Sequence, residues 1–317
     1  MRAVRSRLGW WRSRPALSVG VVILVWVAAG FTTPGFDSWP HLRYMLELAS
    51  VVGLVGAGQT LVVIAGGIDL SVGAIMTLTT IALPIFTWSA DPTGLIAVIG
   101  VLALATGIGV LNGIGIAWLR VHPMIMTLAM ATFLQGILIL LAGGSAVSLD
   151  NPIVQWLGTA RPFGFSACIV LWIVVALLVL FLLHRTPLGA RFFALGSNPV
   201  AARLSGVNTA ATMLCAYGLS GLMCALAGLL ALGMNGQGYI GIGDPYLLTS
   251  IAAVVLGGTT ILGGHGTYAG TVPGAVLLVT ITALITDVNA SPGLRDVLFG
   301  TLVLGLLLVS GREAVRR

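Results

Sequence analysis

Ten mostly apolar runs divide the chain, at 16–33, 46–65, 70–88, 95–119, 124–141, 167–183, 211–232, 247–262, 268–285 and 297–309. A helix of about 20 apolar residues spans the hydrocarbon core of a bilayer. The pattern therefore predicts an all-α, polytopic membrane bundle of about ten transmembrane helices. The first run follows Arg2, Arg5, Arg7, Arg12 and Arg14 in the manner of a signal peptide. No small-residue cleavage site follows before Pro34 and further spans come after it, so it reads as a helix. Two longer polar stretches interrupt the pattern, at 142–166 and 184–210. Within the first, 151–157 predicts a short interfacial helix with Trp156 at headgroup level.

Charge orients this bundle. With the N-terminus inside, the inner segments are 1–15, 66–69, 120–123, 184–210, 263–267 and 310–317. They hold 12 of the 15 arginines, and only Arg43, Arg161 and Arg295 fall outside. Basic residues favour the cytoplasmic side, so both termini are expected there. The predicted layout is a basic cytoplasmic N-terminus (1–15), a transmembrane domain (16–309) and a cytoplasmic tail (310–317). Stretch 142–166 lies on the outer face and 184–210 on the inner.

Composition removes several functions. Only 8% of the 317 residues are charged and 58% are hydrophobic, against about 25% charged in a soluble domain. Every basic residue other than histidine is Arg. Without Lys there is no P-loop, whose Lys reaches the phosphates, and no Schiff-base chemistry. The net charge of +6 reads as membrane orientation rather than as a nucleic-acid surface. Cys168, Cys215 and Cys224 sit in apolar runs without metal spacing and read as small core residues. His41, His122, His184 and His265 share no ligand spacing, and no Gly-x-Ser-x-Gly elbow is present. No metal or cofactor is expected.

Three segments carry candidate chemistry. In Gly66-Gly67-Ile68-Asp69-Leu70-Ser71-Val72-Gly73 the glycine pair breaks a helix just before an acid. Asp69 is then either a cap on the next helix or an acid lining a transport path or gate. Val254-Val255-Leu256-Gly257-Gly258 looks like Val62-Val63-Ile64-Ala65-Gly66-Gly67, which reads either as the trace of an internal duplication or as glycine pairs placed simply where helices pack closely. In 198–206, Asn198 and Pro199 start a helix and Gly206 ends it. Ala201, Ala202 and Leu204 are expected to form a small, flat face suited to docking on a partner, with an amphipathic connector on the membrane as the alternative.

These segments resemble the inner-membrane permeases of bacterial sugar ABC importers of the ribose/xylose/arabinose type. Residues 66–73 match the family's Gly-Gly-Ile-Asp-Leu-Ser-Val-Gly without a change. Ile251-Ala252-Ala253-Val254-Val255-Leu256-Gly257-Gly258-Thr259, continuing to Gly263-Gly264 and Gly270, is the second signature. Val200-Ala201-Ala202-Arg203-Leu204-Ser205-Gly206 resembles the coupling motif Glu-Ala-Ala-x-x-x-Gly. Val200 stands where an acid is common, and Leu247 follows Tyr246 where many relatives have Glu. These departures bear on a salt bridge to the ATPase and on a polar contact with sugar or binding protein.

The resemblance implies a non-enzymatic subunit of the bacterial inner membrane, in contact with membrane lipid. It implies a dimer with a second copy or a sister permease. A separate ATPase with two nucleotide-binding domains docks on the cytoplasmic loops, and a binding protein delivers a monosaccharide outside. Asn198, Ala201, Ala202, Arg203 and Gly206 would couple to the ATPase. Gly66, Gly67, Asp69, Ser71, Gly257 and Gly258 would belong to the path or its gate. The competing readings are an ion-coupled secondary carrier using Asp69 and a polytopic membrane enzyme; the latter lacks the usual His/Asp/Glu cluster.

Overall fold

A computed structural model describes residues 35–87 and 93–287 continuously, with scattered residues between 19 and 31 and between 293 and 301. Stretches 1–15 and 310–317 lie outside the described residues, as do most of 297–309 and part of 16–33. Within the latter a short apolar helix, Val22–Phe31, is seen.

Six described helices are long and apolar enough to cross a membrane. They are α1 (Trp39–Ile64), α3 (Leu95–Ala117), α4 (Pro123–Ala142), α6 (Ala167–Arg185), α9 (Thr209–Asn235) and α11 (Tyr268–Asp287). Two shorter apolar helices, α2 (Val72–Phe86) and α10 (Asp244–Leu256), complete the bundle. Each of the eight falls on an expected run. α1 starts seven residues early because Ser38 caps it, accepting from the His41 N–H, and Pro40 fits its first turn. α10 stops at Leu256 although the apolar run continues to Leu262, because the chain turns at Gly257-Gly258.

The polar stretches also fold. On one side, α5 (Pro152–Thr159) is capped by Asn151, and β1 (Val147–Ser148) pairs antiparallel with β2 (Gln237–Gly238). The Asn151 amide also donates to the Gly94 carbonyl at 3.0 Å, tying α5 to the start of α3. In 184–210, α7 (Pro187–Ser197) is capped by Thr186, and α8 (Pro199–Leu204) by Asn198.

Packing is set by how closely backbones approach. Helices in lipid gain no hydrophobic drive from one another, so small residues at contacts decide association. α9 is the hub, packed on α1, α2, α3 and α5. At the α3–α9 seam, a Cβ on Gly109 would collide with the Tyr217 carbonyl, on Gly113 with Leu214 Cα, and on Gly221 with the Ala105 carbonyl. Gly158 of α5 and Gly233 of α9 exclude a side chain on each other in the same way. α1 is central, with 17 of its 26 residues buried, whereas α4 is peripheral, with four of 20. A buried polar relay joins three helices: Trp172 of α6 donates to the Tyr268 hydroxyl of α11 at 2.9 Å, and Tyr268 donates to the Gly53 carbonyl of α1 at 2.7 Å.

Two sequence expectations change. Cys168 and Cys224 are buried, but Cys215 is exposed on α9, because it points away from the α3 and α1 contacts. Ala202 is not on the outward face of α8. It is 4% exposed and turns inward, while Val200 and Leu204 are 70% and 85% exposed. Residues 200, 201 and 204 share one face of the turn, and 202 lies about 100° away from 201.

Gly109→Val should push α3 and α9 apart and cost about 1–3 kcal/mol. Gly107→Val, two residues along on α3 where a Cβ meets nothing, should be neutral. Thermal melting of the two purified variants checks the difference.

Candidate functional site

The break after α1 is built from its own backbone. Gly66 takes a left-handed conformation, φ +90°, which costs glycine little. Its N–H then reaches the Val63 carbonyl, and the Gly67 N–H reaches Val62, both at 3.0 Å. This is a Schellman ending, which satisfies carbonyls that a helix end would strand. α10 ends identically: Gly258, φ +86°, bonds Val255 at 2.9 Å, and Thr259 bonds Val254 at 3.1 Å. The two similar sequence stretches thus share one backbone geometry.

Asp69 organises the linker between α1 and α2. Its side chain is fully buried. Oδ1 accepts from the Ser71 N–H at 2.9 Å and the Ser71 hydroxyl at 2.6 Å, and Oδ2 accepts from the Ser220 hydroxyl of α9 at 2.8 Å. Asn112 of α3 donates to Ser71 Oγ at 2.9 Å. The segment's backbone is held as well: the Leu70 N–H donates to the Thr127 hydroxyl of α4 at 3.0 Å, and the Tyr217 hydroxyl donates to the Ile68 carbonyl at 3.3 Å. Ser71, not Asp69, is the residue preceding α2, and its side chain makes no cap bond. Asp69 acts two residues earlier, tying the linker to α9, while Asn112 and Thr127 tie it to α3 and α4.

A second contact joins this break to stretch 184–210 and to the segment between α10 and α11. The Gly264 N–H donates to the Ile64 carbonyl at 2.9 Å. A Cβ on Gly196, near the end of α7, would collide with that carbonyl and with Gly264 N; a Cβ on Gly263 would press on Gly66 Cα. Three segments therefore touch backbone to backbone. α8 begins three residues beyond Gly196, and Asn198 Oδ1 accepts from both the Val200 and Ala201 N–H groups at 3.0 Å. Gly206, φ +82°, closes α8 with the same Schellman pattern, its N–H on Arg203 and that of Val207 on Ala202, both at 3.0 Å. Arg203 is exposed, its guanidinium 3.4 Å from the Thr209 hydroxyl.

The predicted residues fall into three places. Gly66, Gly67, Asp69 and Ser71 form the break. Asn198, Ala201, Ala202, Arg203 and Gly206 form α8, joined to the break through Gly196 rather than by direct bonds. Gly257 and Gly258 close α10, with Gly257 pressed on Gly270 of α11. Ser220, Tyr217, Thr127, Asn112 and Gly196 join the site without being marked by any motif. Asn112 gives one signal, an amide inside an apolar run; Ser220, Tyr217 and Thr127 are ordinary residues of such runs, and Gly196 is an ordinary residue of the polar stretch 184–210. Among the described residues no group of three or more His, Cys, Asp or Glu is gathered to hold a metal.

Asp69→Leu would strand two hydroxyls and an N–H, each worth about 1–3 kcal/mol when buried and unpaired. Asp69→Asn keeps one acceptor oxygen. The leucine variant should therefore be the less stable by about 2 kcal/mol or more in thermal melting; equal losses would remove the acceptor role assigned to Asp69.

The chain has extensive relatives. The family model described as branched-chain amino acid transport system, permease component, matches residues 42–308. The ribose import permease protein of Escherichia coli (strain K12) is 33% identical over 298 residues, 92% of each chain. The fructose import permease protein of Rhizobium meliloti is 32% identical over 301 residues, 92% of this chain and 84% of its own. The autoinducer 2 import system permease protein of Escherichia coli (strain HS) is 31% identical over 300 residues, 95% and 87% respectively. No solved structure gives a significant match. With six apolar helices of spanning length and these matches over nearly its whole length, the chain belongs to the permease family of the bacterial sugar ABC importers, the family its three signatures resemble.

Proposed function

We propose that this chain is the membrane subunit of an ABC importer that moves a monosaccharide of the ribose, xylose, arabinose or galactose kind inward across the bacterial inner membrane. In this reading about ten helices span the bilayer, and both termini are cytoplasmic. The subunit pairs with a second copy or a sister permease. A binding protein presents the sugar outside, and a partner ATPase with two nucleotide-binding domains supplies the drive. The similarity to ribose and fructose permeases supports a sugar as cargo, and the absence of any Lys supports a separate ATPase.

One observation carries the coupling. α8 shows an apolar tip, Val200 and Leu204, and its root is packed through Gly196 directly onto the break at Gly66. A push on α8 by a closing ATPase pair reaches that junction through a backbone contact with no flexible side chain between. Gly66, Gly67, Asp69 and Ser71, with Gly257 and Gly258 at the matching end of α10, are then the gate that alternates between the two faces. Interfaces of this kind switch between discrete packings rather than deforming smoothly.

Uptake into vesicles tests the reading. Sugar should accumulate only when the ATPase and ATP are present. Accumulation driven by an ion gradient alone would replace this reading with a secondary carrier using Asp69. Leu204→Glu should leave membrane insertion and melting unchanged, because the side chain is exposed, yet abolish co-purification of the ATPase. Full co-purification and undiminished uptake would remove the docking role of α8. Ala202→Glu, at an inward position, should instead destabilise the loop itself.

A further inference from the structure

Gln59 lies inside α1 and takes no part in the break or in the helix seams. It is fully buried, and neither its amide nitrogen nor its amide oxygen has a hydrogen-bond partner. Its direction is set by its neighbours. Gly58 faces Ser220 of α9, while Gly56 and Thr60 face Thr271 of α11. A helix turns about 100° per residue, so Gln59 points into the sector between the α9 and α11 contacts. α6 meets α1 at Gly53, on the far side of the α11 contact, which leaves α10, also packed on α1, as the neighbour for that sector. α9 and α10 also both pack on α2, so α1, α9, α2 and α10 form a ring, and Gln59 is turned toward its axis.

No group of the ring hydrogen-bonds the Gln59 amide. The buried hydroxyls of Thr77 and Thr80 on α2 and of Ser250 on α10 donate to carbonyls of their own helices. Ser220 on α9 donates to Asp69. A buried amide unpaired at both ends is costly, and such groups are rare in native proteins. Within hydrocarbon no bulk water replaces the missing bonds. A glutamine amide offers donors and an acceptor side by side. Adjacent hydroxyls of a polyol present the complementary acceptor and donor.

We propose that Gln59 reads the cargo: its amide takes one hydrogen bond from, and gives one to, neighbouring hydroxyls of a sugar as the four-helix ring parts around it. This rests on the reading of the chain as a sugar permease. It adds a specificity-determining residue on α1, in a ring otherwise lined by apolar groups and by hydroxyls that already donate to backbone or to Asp69.

The test uses vesicles carrying the complete system of permease, ATPase and binding protein. The probe is whichever of D-ribose, D-xylose, L-arabinose and D-galactose the wild type takes up best, with its single-deoxy analogues. Gln59→Met conserves volume and removes the unpaired amide, so its melting temperature should hold or rise. Its KM for the parent sugar should rise about tenfold. The penalty for deleting one of two adjacent hydroxyls, seen in the wild type, should vanish in the variant. Because every comparison uses the same binding protein, selectivity arising there cancels from the ratio. Gln59→Asn, whose amide falls one carbon short, should lose the same discrimination and serves if the methionine variant does not reach the membrane. Wild-type ratios for every analogue in these variants would overturn the proposal and leave the sugar reading standing. No uptake of any of these sugars by the wild type would remove the sugar reading, and this role of Gln59 with it.

Discussion

A helix cannot stop inside an apolar bundle unless its last carbonyls and the next helix's first N–H groups find partners, since no solvent is there to take them. The ending of α1 at Ile64 is where this chain meets that demand. Gly66 folds the backbone back on Val63, Gly264 caps the Ile64 carbonyl, and Asp69 gathers Ser71 and Ser220. Asn112 and Thr127 close the remaining sides. Helices α3, α4 and α9 are thereby fixed around one short linker. α2 begins right after it, buried from Val72 to Leu83 and packed on α3, α4, α9 and α10, so those bonds and its own packing place it together.

The same demand explains where glycine is spent. At Gly196, Gly263 and Gly264 the contacts are main chain on main chain, so the junction has the stiffness of secondary structure although it joins segments far apart in sequence. At Gly109, Gly113 and Gly221 the gain is different: α3 and α9 come close enough for dispersion between backbones to hold them, which in lipid is the main attraction available. One residue type thus supplies both a hinge-like break and rigid seams, and its neighbours decide which.

Much of this is legible in the order of residues. Eight helices lie where apolar runs predict them, and the likeness of 62–67 to 254–258 reappears as a shared helix ending. The failures are instructive. Hydropathy carries the 247–262 run past Gly257-Gly258, because Ile261 and Leu262 are apolar whether helical or not. α7 escapes the pattern, since Phe192 and Phe193 beside Arg191 give no clear periodicity; the Thr186-Pro187 start is its only flag. Composition places Ala202 outward, and only the helical phase turns it in. No local pattern pairs Asp69 with Ser220, 151 residues apart, because that contact exists only once α9 has docked.

Two of the capping asparagines share a further trait. Asn151 and Asn198 are each followed by proline. Asparagine ages chiefly by cyclisation, in which the next residue's backbone nitrogen attacks the side-chain carbonyl. Proline has no N–H to give, so that route is closed at both caps. The amide that ties α5 to α3 and the one that starts α8 are therefore shielded from deamidation by their own sequence context. Deamidation there is left to direct hydrolysis, a slower process, which suits caps that must hold their helix starts in place.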